Sequence, residues 1–245
     1  MRSPAIDVVI PARNEEASLP LVLAAIPRPP VRRVVVADND SRDATATRAR
    51  AGGAEVVAEA RRGYGSACLA GLDHLRRTGA PDIVVFLDAD YSDHPEELPA
   101  LVAPILGGAA DLVIGSRALG EREPGALLPQ ARAGNLVACA LIHLLYGHRY
   151  TDLGPFRAIR WASLEALEMR DRDFGWTAEM QVKALRRGMA VREVPVRYRR
   201  RVGASKITGT LAGTLGAGYK ILWTVVRYSL PGYARRSRQA EARRD

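Results

Sequence analysis

The chain has 245 residues, of which 47% are hydrophobic and 26% charged, an ordinary globular composition that excludes a disordered or fibrous protein. Its formal charge is +9, yet residues 197–206 hold five cations and no acid, and residues 235–245 hold five arginines against two acids. The rest is nearly neutral, so the basicity is a local device. Cys68 and Cys139 lie far apart with no C-x-x-C spacing, which excludes a zinc knuckle or a disulfide framework and reads as two reduced core thiols.

A chain of this length can bury roughly three quarters of its unfolded surface, so a single domain over residues 1–234 is expected, followed by a basic, disordered tail at 235–245. Arg2, Asp7 and Arg13 interrupt any apolar leader, and a cytoplasmic protein is expected. The apolar stretch 136–146 is too short to span a bilayer, and 207–226 is diluted by four glycines and Lys220, so no membrane crossing is expected.

In chain order, buried-strand runs fall at residues 7–11, 34–38, 55–58 and 83–88, with helical patterns at 19–26, 41–51 and 66–75 between them. Strands that are apolar on consecutive residues and separated by helices indicate a parallel sheet covered on both faces. A helix over 95–106 and a strand over 111–115 follow. The glycine- and proline-bearing segment 118–130 reads as an excursion loop, 191–198 as a strand, and 210–228 as a helix with Leu211, Leu215, Tyr219 and Leu222 on one face. The expected fold class is α/β.

In open α/β sheets, ligands bind beyond the carboxyl ends of the strands. The first strand ends in Pro11-Ala-Arg-Asn-Glu15, the second in Asp38-Asn-Asp40 and the fourth in Asp88-Ala-Asp90, so three polar or acidic clusters meet on one rim. No G-x-G-x-x-G follows the first strand, which argues against a nicotinamide or flavin enzyme. Arg62-Gly-Tyr-Gly65 is either a tight turn or a loop whose backbone approaches a phosphate. Two carboxylates at i and i+2 on a strand exit can turn toward one hard divalent cation that also takes phosphate oxygens. Asp88 and Asp90 are therefore the candidate metal ligands, for Mg²⁺ or Mn²⁺.

The runs Val8-Val-Ile-Pro-Ala-Arg-Asn-Glu15, Val35-Val-Ala-Asp-Asn-Asp-Ser41, Arg62-Gly-Tyr-Gly-Ser-Ala67, Leu87-Asp-Ala-Asp90 and Gly115-Ser-Arg117 resemble, in this order, the family 2 glycosyltransferases of GT-A fold. The chain is most similar to their polyprenyl-phosphate sugar synthases. Asp152-Leu-Gly-Pro-Phe-Arg157 and Arg200-Arg-Val-Gly-Ala-Ser-Lys206 are similar to two further segments of that group, the first being one residue shorter here. The resemblance implies a Rossmann-like, mostly parallel sheet with a nucleotide-sugar half at about 1–117, an acceptor half at about 118–234 and a C-terminal helical extension.

It also implies roles. Pro11, Asn14, Glu15 and Asp38 would hold the base and ribose of a sugar nucleotide, with Asp40, Arg62 and Gly63 completing that site. Asp88 would contact nucleotide and metal, and Asp90 would be the principal metal ligand. Arg200 and Lys206 would lie against the donor diphosphate, with Arg201 able to take the place of Arg200. Arg117 and Arg132 match phosphate-binding arginines of the group, and Arg157 is placed with them on the acceptor. The reaction implied is an inverting transfer to a polyprenyl phosphate, which is already ionised and needs no base. A hydroxyl acceptor would need one, and Glu179 is the candidate, with Asp152 behind it.

Tyr219, Trp223 and Tyr228 beside Lys220 and Arg227 are the mixture an interfacial helix shows, so peripheral contact with an anionic membrane at its inner face is a further expectation. Core packing of the same helix is the alternative. Nucleic-acid binding would explain the basic run but leaves the acidic strand ends without a role. A catalytically inactive membrane-peripheral protein is the rival from another class, and the intact Asp88/Asp90 pair stands against it. His74, His94, His143 and His148 show no zinc-ligand spacing.

Overall fold

A computed structural model of the protein describes residues 3–203 and 211–230, with the side chains of 211–215 excepted. Lys206 and the segment 235–245 lie outside the described residues. The strands are β1 Ile6–Ala12, β2 Val31–Asp38, β3 Glu55–Ala58, β4 Ile83–Phe86, β5 Leu112–Ser116, β6 Arg157–Arg160 and β7 Val191–Pro195. They form one sheet in the order β3-β2-β1-β4-β6-β5-β7. The helices are α1 Leu19–Ala25, α2 Thr45–Ala51, α3 Tyr64–Thr78, α4 Leu98–Leu106, α5 Pro129–Tyr146, α6 Trp161–Leu167, α7 Trp176–Arg186 and α8 Leu211–Ser229.

β1 lies at the centre, parallel to both β2 and β4, with Val8 level with Val34 on one side and Val85 on the other. Successive side chains on a strand point to opposite faces, and both faces here are apolar. Val8 and Ile10 join Leu19, Val22, Leu98 and Leu101 in one core. Val9, Val84 and Phe86 join Cys68, Leu72 and Trp176 in the other. Each such side chain contributes about 1.5–3 kcal/mol on full burial. This explains why the strands read as unbroken apolar runs. Cys68 and Cys139 are free and buried, as expected.

The sheet departs from the parallel expectation at β6, which inserts antiparallel between β4 and β5. The charged ends of Arg157-Ala-Ile-Arg160 hide this strand from any hydrophobic pattern. α8 also differs. Its buried positions are Thr224, Val225 and Tyr228, whereas Tyr219, on the apolar face read from the sequence, is 71% exposed. The helical period was legible, but its phase is set by packing against α5 and α7. Among the described residues, no helix is long and apolar enough to cross a membrane.

Candidate active site

The exits of β1, β2 and β4 are tied together by side chains that cap one another's loops. Asn14 sits in the left-handed region at φ 50°, a conformation its short amide tolerates. Its backbone N–H donates to Ser41 Oγ at 2.9 Å, and its Oδ1 accepts from the Arg42 N–H at 2.7 Å. The Glu15 N–H donates to Thr45 Oγ1 at 2.7 Å. Asn39, which the sequence reading did not single out, donates to the carbonyls of Glu59 and Arg61 and accepts from the Gly63 N–H. It fixes the exit of β3 against that of β2.

Asp40 and Arg62 pair with each other at 2.8 Å on the exposed rim, and this pairing lowers the Asp40 carboxyl. Pro11 is buried within β1. Asp38 carries a buried Oδ1 with no hydrogen-bond partner among the described residues, so an acceptor is left unused at the end of β2. Gly63, at φ 141°, and Gly65 lie so close to the backbone of Asp171 and Arg172 that an added Cβ would come within 2.0–2.1 Å of a carbonyl oxygen. The glycines of this loop are therefore required for the close approach of the 171–172 segment to the start of α3.

Asp88 and Asp90 project from the end of β4. Asp88 accepts from the Tyr64 hydroxyl at 3.1 Å, and its carboxyl is pushed up to about 7 by burial first and the Asp90 charge second. Asp90 accepts from the backbone N–H and hydroxyl of Ser92 at 2.9 and 2.5 Å, and its Oδ2 faces Arg201 at 3.2 Å. Arg201 also reaches Glu15 at 3.3 Å, bridging the exits of β1 and β4. Nearby Asp93 is buried, and its carboxyl is raised by burial and by the charges of Asp88 and Asp90, against a backbone hydrogen bond from Asp88.

The basic segment explains its own charge once it is placed. Residues 199–202 run along the loop after β4, the Arg199 N–H donating to the Ser92 carbonyl and the Val202 N–H to the Asp90 carbonyl. Extended chain alternates its side chains. Arg199 stacks 3.6 Å from the Tyr91 ring centroid and Arg201 meets Asp90, whereas the Arg200 guanidinium turns to the Pro124 carbonyl in the excursion loop, its backbone N–H donating to Glu123. Of the two neighbours it is thus Arg201, and not Arg200, that faces the Asp90 carboxylate.

The acceptor-side residues are less uniform. Arg117 leaves the end of β5 and forks onto Asp152, with contacts of 2.8 and 2.7 Å and a further bond from its backbone N–H. Burial works against its charge, yet the Asp152 carboxylate raises the guanidinium above its ordinary value. Arg132 is exposed in the first turn of α5. Arg157 is wholly buried and donates to the carbonyls of Gly154, Leu153 and Thr177 and to Gln181 Oε1. Burial lowers it to about 10. It braces the 153–154 turn and does not face an acceptor, which corrects the expectation placed on it.

Glu179 is corrected in the same way. Its carboxylate is fully buried, accepts from the backbone N–H groups of Arg170 and Asp171, and meets Lys183 at 2.7 Å and the Tyr228 hydroxyl. Asp152, 1% exposed, is equally taken up by Arg117. Neither carboxylate is placed to take a proton from a substrate.

A divalent cation fits the end of β4. The donors are hard carboxylate oxygens, and the raised Asp88 carboxyl beside Asp90 marks a pair short of positive charge. Among the described residues no group of three or more His, Cys, Asp or Glu could hold a metal, so a cation here would take its remaining ligands from substrate phosphates and water. The sign of the linkage is definite. A carboxyl raised in the folded state contributes stability at low pH that is lost as pH rises through about 7. Mn²⁺ is therefore expected to raise the melting temperature more at about pH 8 than at about pH 5. Equal shifts at both would place the cation elsewhere.

A parallel-rich sheet with acidic strand exits meeting a basic segment is the α/β transferase architecture that the sequence resemblance implied. The glycosyl transferase family 2 model matches residues 7–167, well over half of the chain, and the chain belongs to that family. It is 41% identical over 219 residues to an uncharacterised glycosyltransferase of Mycobacterium tuberculosis, covering 88% of this chain and 95% of that one. It is 32% identical over 225 residues to the undecaprenyl-phosphate mannosyltransferase of Micrococcus luteus, covering 84% and 88%. Its fold is similar to that of glucosyl-3-phosphoglycerate synthase from Mycobacterium tuberculosis solved with Mn²⁺, UDP and phosphoglyceric acid. That match has a TM-score of 0.74 and 26% identity, covering 92% of this chain and 78% of the synthase.

Proposed function

We propose that the protein is an inverting, cation-dependent glycosyltransferase that moves a sugar from a nucleoside diphosphate sugar to a polyprenyl phosphate at the inner face of the cytoplasmic membrane. The observation that carries the acceptor is the loss of both expected bases, since Glu179 and Asp152 are buried and fully engaged. An ionised phosphate nucleophile needs no base. The Micrococcus relative, named for an undecaprenyl-phosphate acceptor, supports the same reading, as do Tyr219 and Trp223, exposed on α8 beside Lys220 and Arg227.

Asp38, with its unused Oδ1, and Glu15 would take the nucleoside, while Asp88 and Asp90 would hold the cation against the donor diphosphate. Such a cation neutralises charge on the departing diphosphate. Arg201 supplies a fixed positive charge over the same carboxylates. A phosphate oxygen of the acceptor attacks the anomeric carbon as the bond to the nucleoside diphosphate breaks on the opposite side. Arg132, exposed at the start of α5, would bind the acceptor phosphate, with Arg117 held beneath it by Asp152.

A second reading rests on Asp93, a buried carboxylate near Asp88 and Asp90 whose carboxyl is raised by its burial and by their charges. It could serve as base for a hydroxyl of a phosphorylated soluble acceptor, the class of compound bound in the structurally similar synthase. Arg132→Ala is expected to raise the KM for polyprenyl phosphate about tenfold or more, the value of one charged hydrogen bond, with donor KM unchanged. Asp93→Asn should leave turnover with polyprenyl phosphate substantial. A dead Asp93→Asn protein with an unaffected Arg132→Ala protein selects the hydroxyl reading.

A further inference from the structure

α5 and α8 pack side by side, joined by the Tyr146 hydroxyl donating to the Val225 carbonyl at 2.7 Å, and each turns an apolar stripe away from the core. On α5, Ala138, Cys139 and Ile142 are buried, while Leu136, Val137 and Leu144 are 71%, 53% and 79% exposed, with exposed Ala133 and Ala140 between them at helical spacing. On α8 the exposed residues are Tyr219 and Trp223. Solvent-facing apolar residues scattered singly need no explanation, but a continuous stripe on a helix face does.

Trp223 also lines a cavity of about 360 Å³ between α8 and the segment 170–173, ringed by Arg61, Arg170, Arg172, Lys220 and Arg227. Two acids share the lining, Asp171 and Asp173, and Asp171 is engaged by Lys220 at 3.1 Å. The cavity is therefore cationic overall and opens beside an apolar, aromatic helix face.

We propose that the α5/α8 face docks onto an anionic lipid bilayer and that this cavity takes the phosphate headgroup of an anionic lipid. The inference rests on the reading of a lipid-borne acceptor and adds the surface that brings the protein to it. Charge decides the occupant. A second copy docked through the same face would set the five cations of one cavity against the five of the other, whereas a bilayer offers hydrocarbon to the stripes and phosphate to the arginines. Aromatic rings with a polar edge sit naturally at that boundary. Arg132, the exposed arginine one residue before the α5 stripe, would then meet phosphates at the same surface.

The test uses the full chain with vesicles of phosphatidylcholine, with and without phosphatidylglycerol. Binding should be at least about tenfold tighter to the anionic vesicles, and emission from Trp223 should shift to the blue. Trp223→Phe should lose the shift and keep the binding. Leu144→Glu should weaken binding to both vesicles. Arg170→Gln with Arg172→Gln should reduce the preference for anionic vesicles about fivefold per cation. Soluble glycerol phosphate should not displace the protein from vesicles. If glycerol phosphate binds in an Arg172-dependent manner and vesicles do not, the cavity is a soluble-anion site and the proposal fails. A dimer in sedimentation that Leu144→Glu abolishes, without vesicle binding, also overturns it. A water-soluble short-chain polyprenyl phosphate separates the two claims. Turnover with it but no vesicle binding rejects this surface alone, and vesicle binding with no turnover rejects the acceptor alone.

Discussion

Replacing Asp90 with Asn is expected to lower sugar transfer by about a thousandfold or more, equivalent to about 4 kcal/mol of transition-state stabilisation, while leaving the fold intact. Asparagine retains an oxygen to accept from the Ser92 N–H and hydroxyl, so the turn after β4 keeps its cap. What disappears is one of two charges available to a cation and the ion pair with Arg201, while the repulsion that Asp90 exerts on Asp88 disappears with it. The loss and the relief oppose each other, so the variant should melt close to the parent and should lose most of the Mn²⁺-dependent rise in melting temperature. Unchanged transfer together with an unchanged Mn²⁺ shift would remove Asp90 from the site.

Glu179→Ala is expected to destabilise the protein by about 3–5 kcal/mol, the range for breaking a buried charge pair from one side. The cause is local and countable. Two backbone N–H groups, at Arg170 and Asp171, and the Tyr228 hydroxyl lose their acceptor, and Lys183 is left without the carboxylate at 2.7 Å. Because Tyr228 belongs to α8 and Arg170–Asp171 to the segment lining the cationic cavity, the loss should also loosen both. Denaturant unfolding measures the cost. A variant as stable as the parent but dead toward hydroxyl acceptors would restore Glu179 as a base.

These two residues show what a sequence reveals of such a site. Asp88 and Asp90 were legible because they end an unbroken apolar strand, and the sheet carries every such exit to one rim. The division of the chain into buried strands and covering helices was legible for the same reason. Glu179 and Arg157 were not, because their partners are backbone groups of turns at 170–171 and 153–154 that only tertiary packing brings within reach. Arg200 and Arg201 are chemically identical neighbours, and their opposite directions follow from the register of an extended segment against the loop after β4. Asn39 joins the loops after β2 and β3 through its amide alone, and no pattern in the residues around it marks it out. β6 escaped because its strand is four residues long with arginine at each end.

The most direct test of the account is product analysis after incubation with a panel of UDP-, GDP- and dTDP-sugars, polyprenyl phosphate and Mn²⁺, with parallel reactions in excess chelator. The account predicts a sugar–phosphate–lipid product from at least one donor, formed with inversion at the anomeric carbon and absent with chelator. A product formed only on a free hydroxyl, or formed equally in chelator, would contradict it.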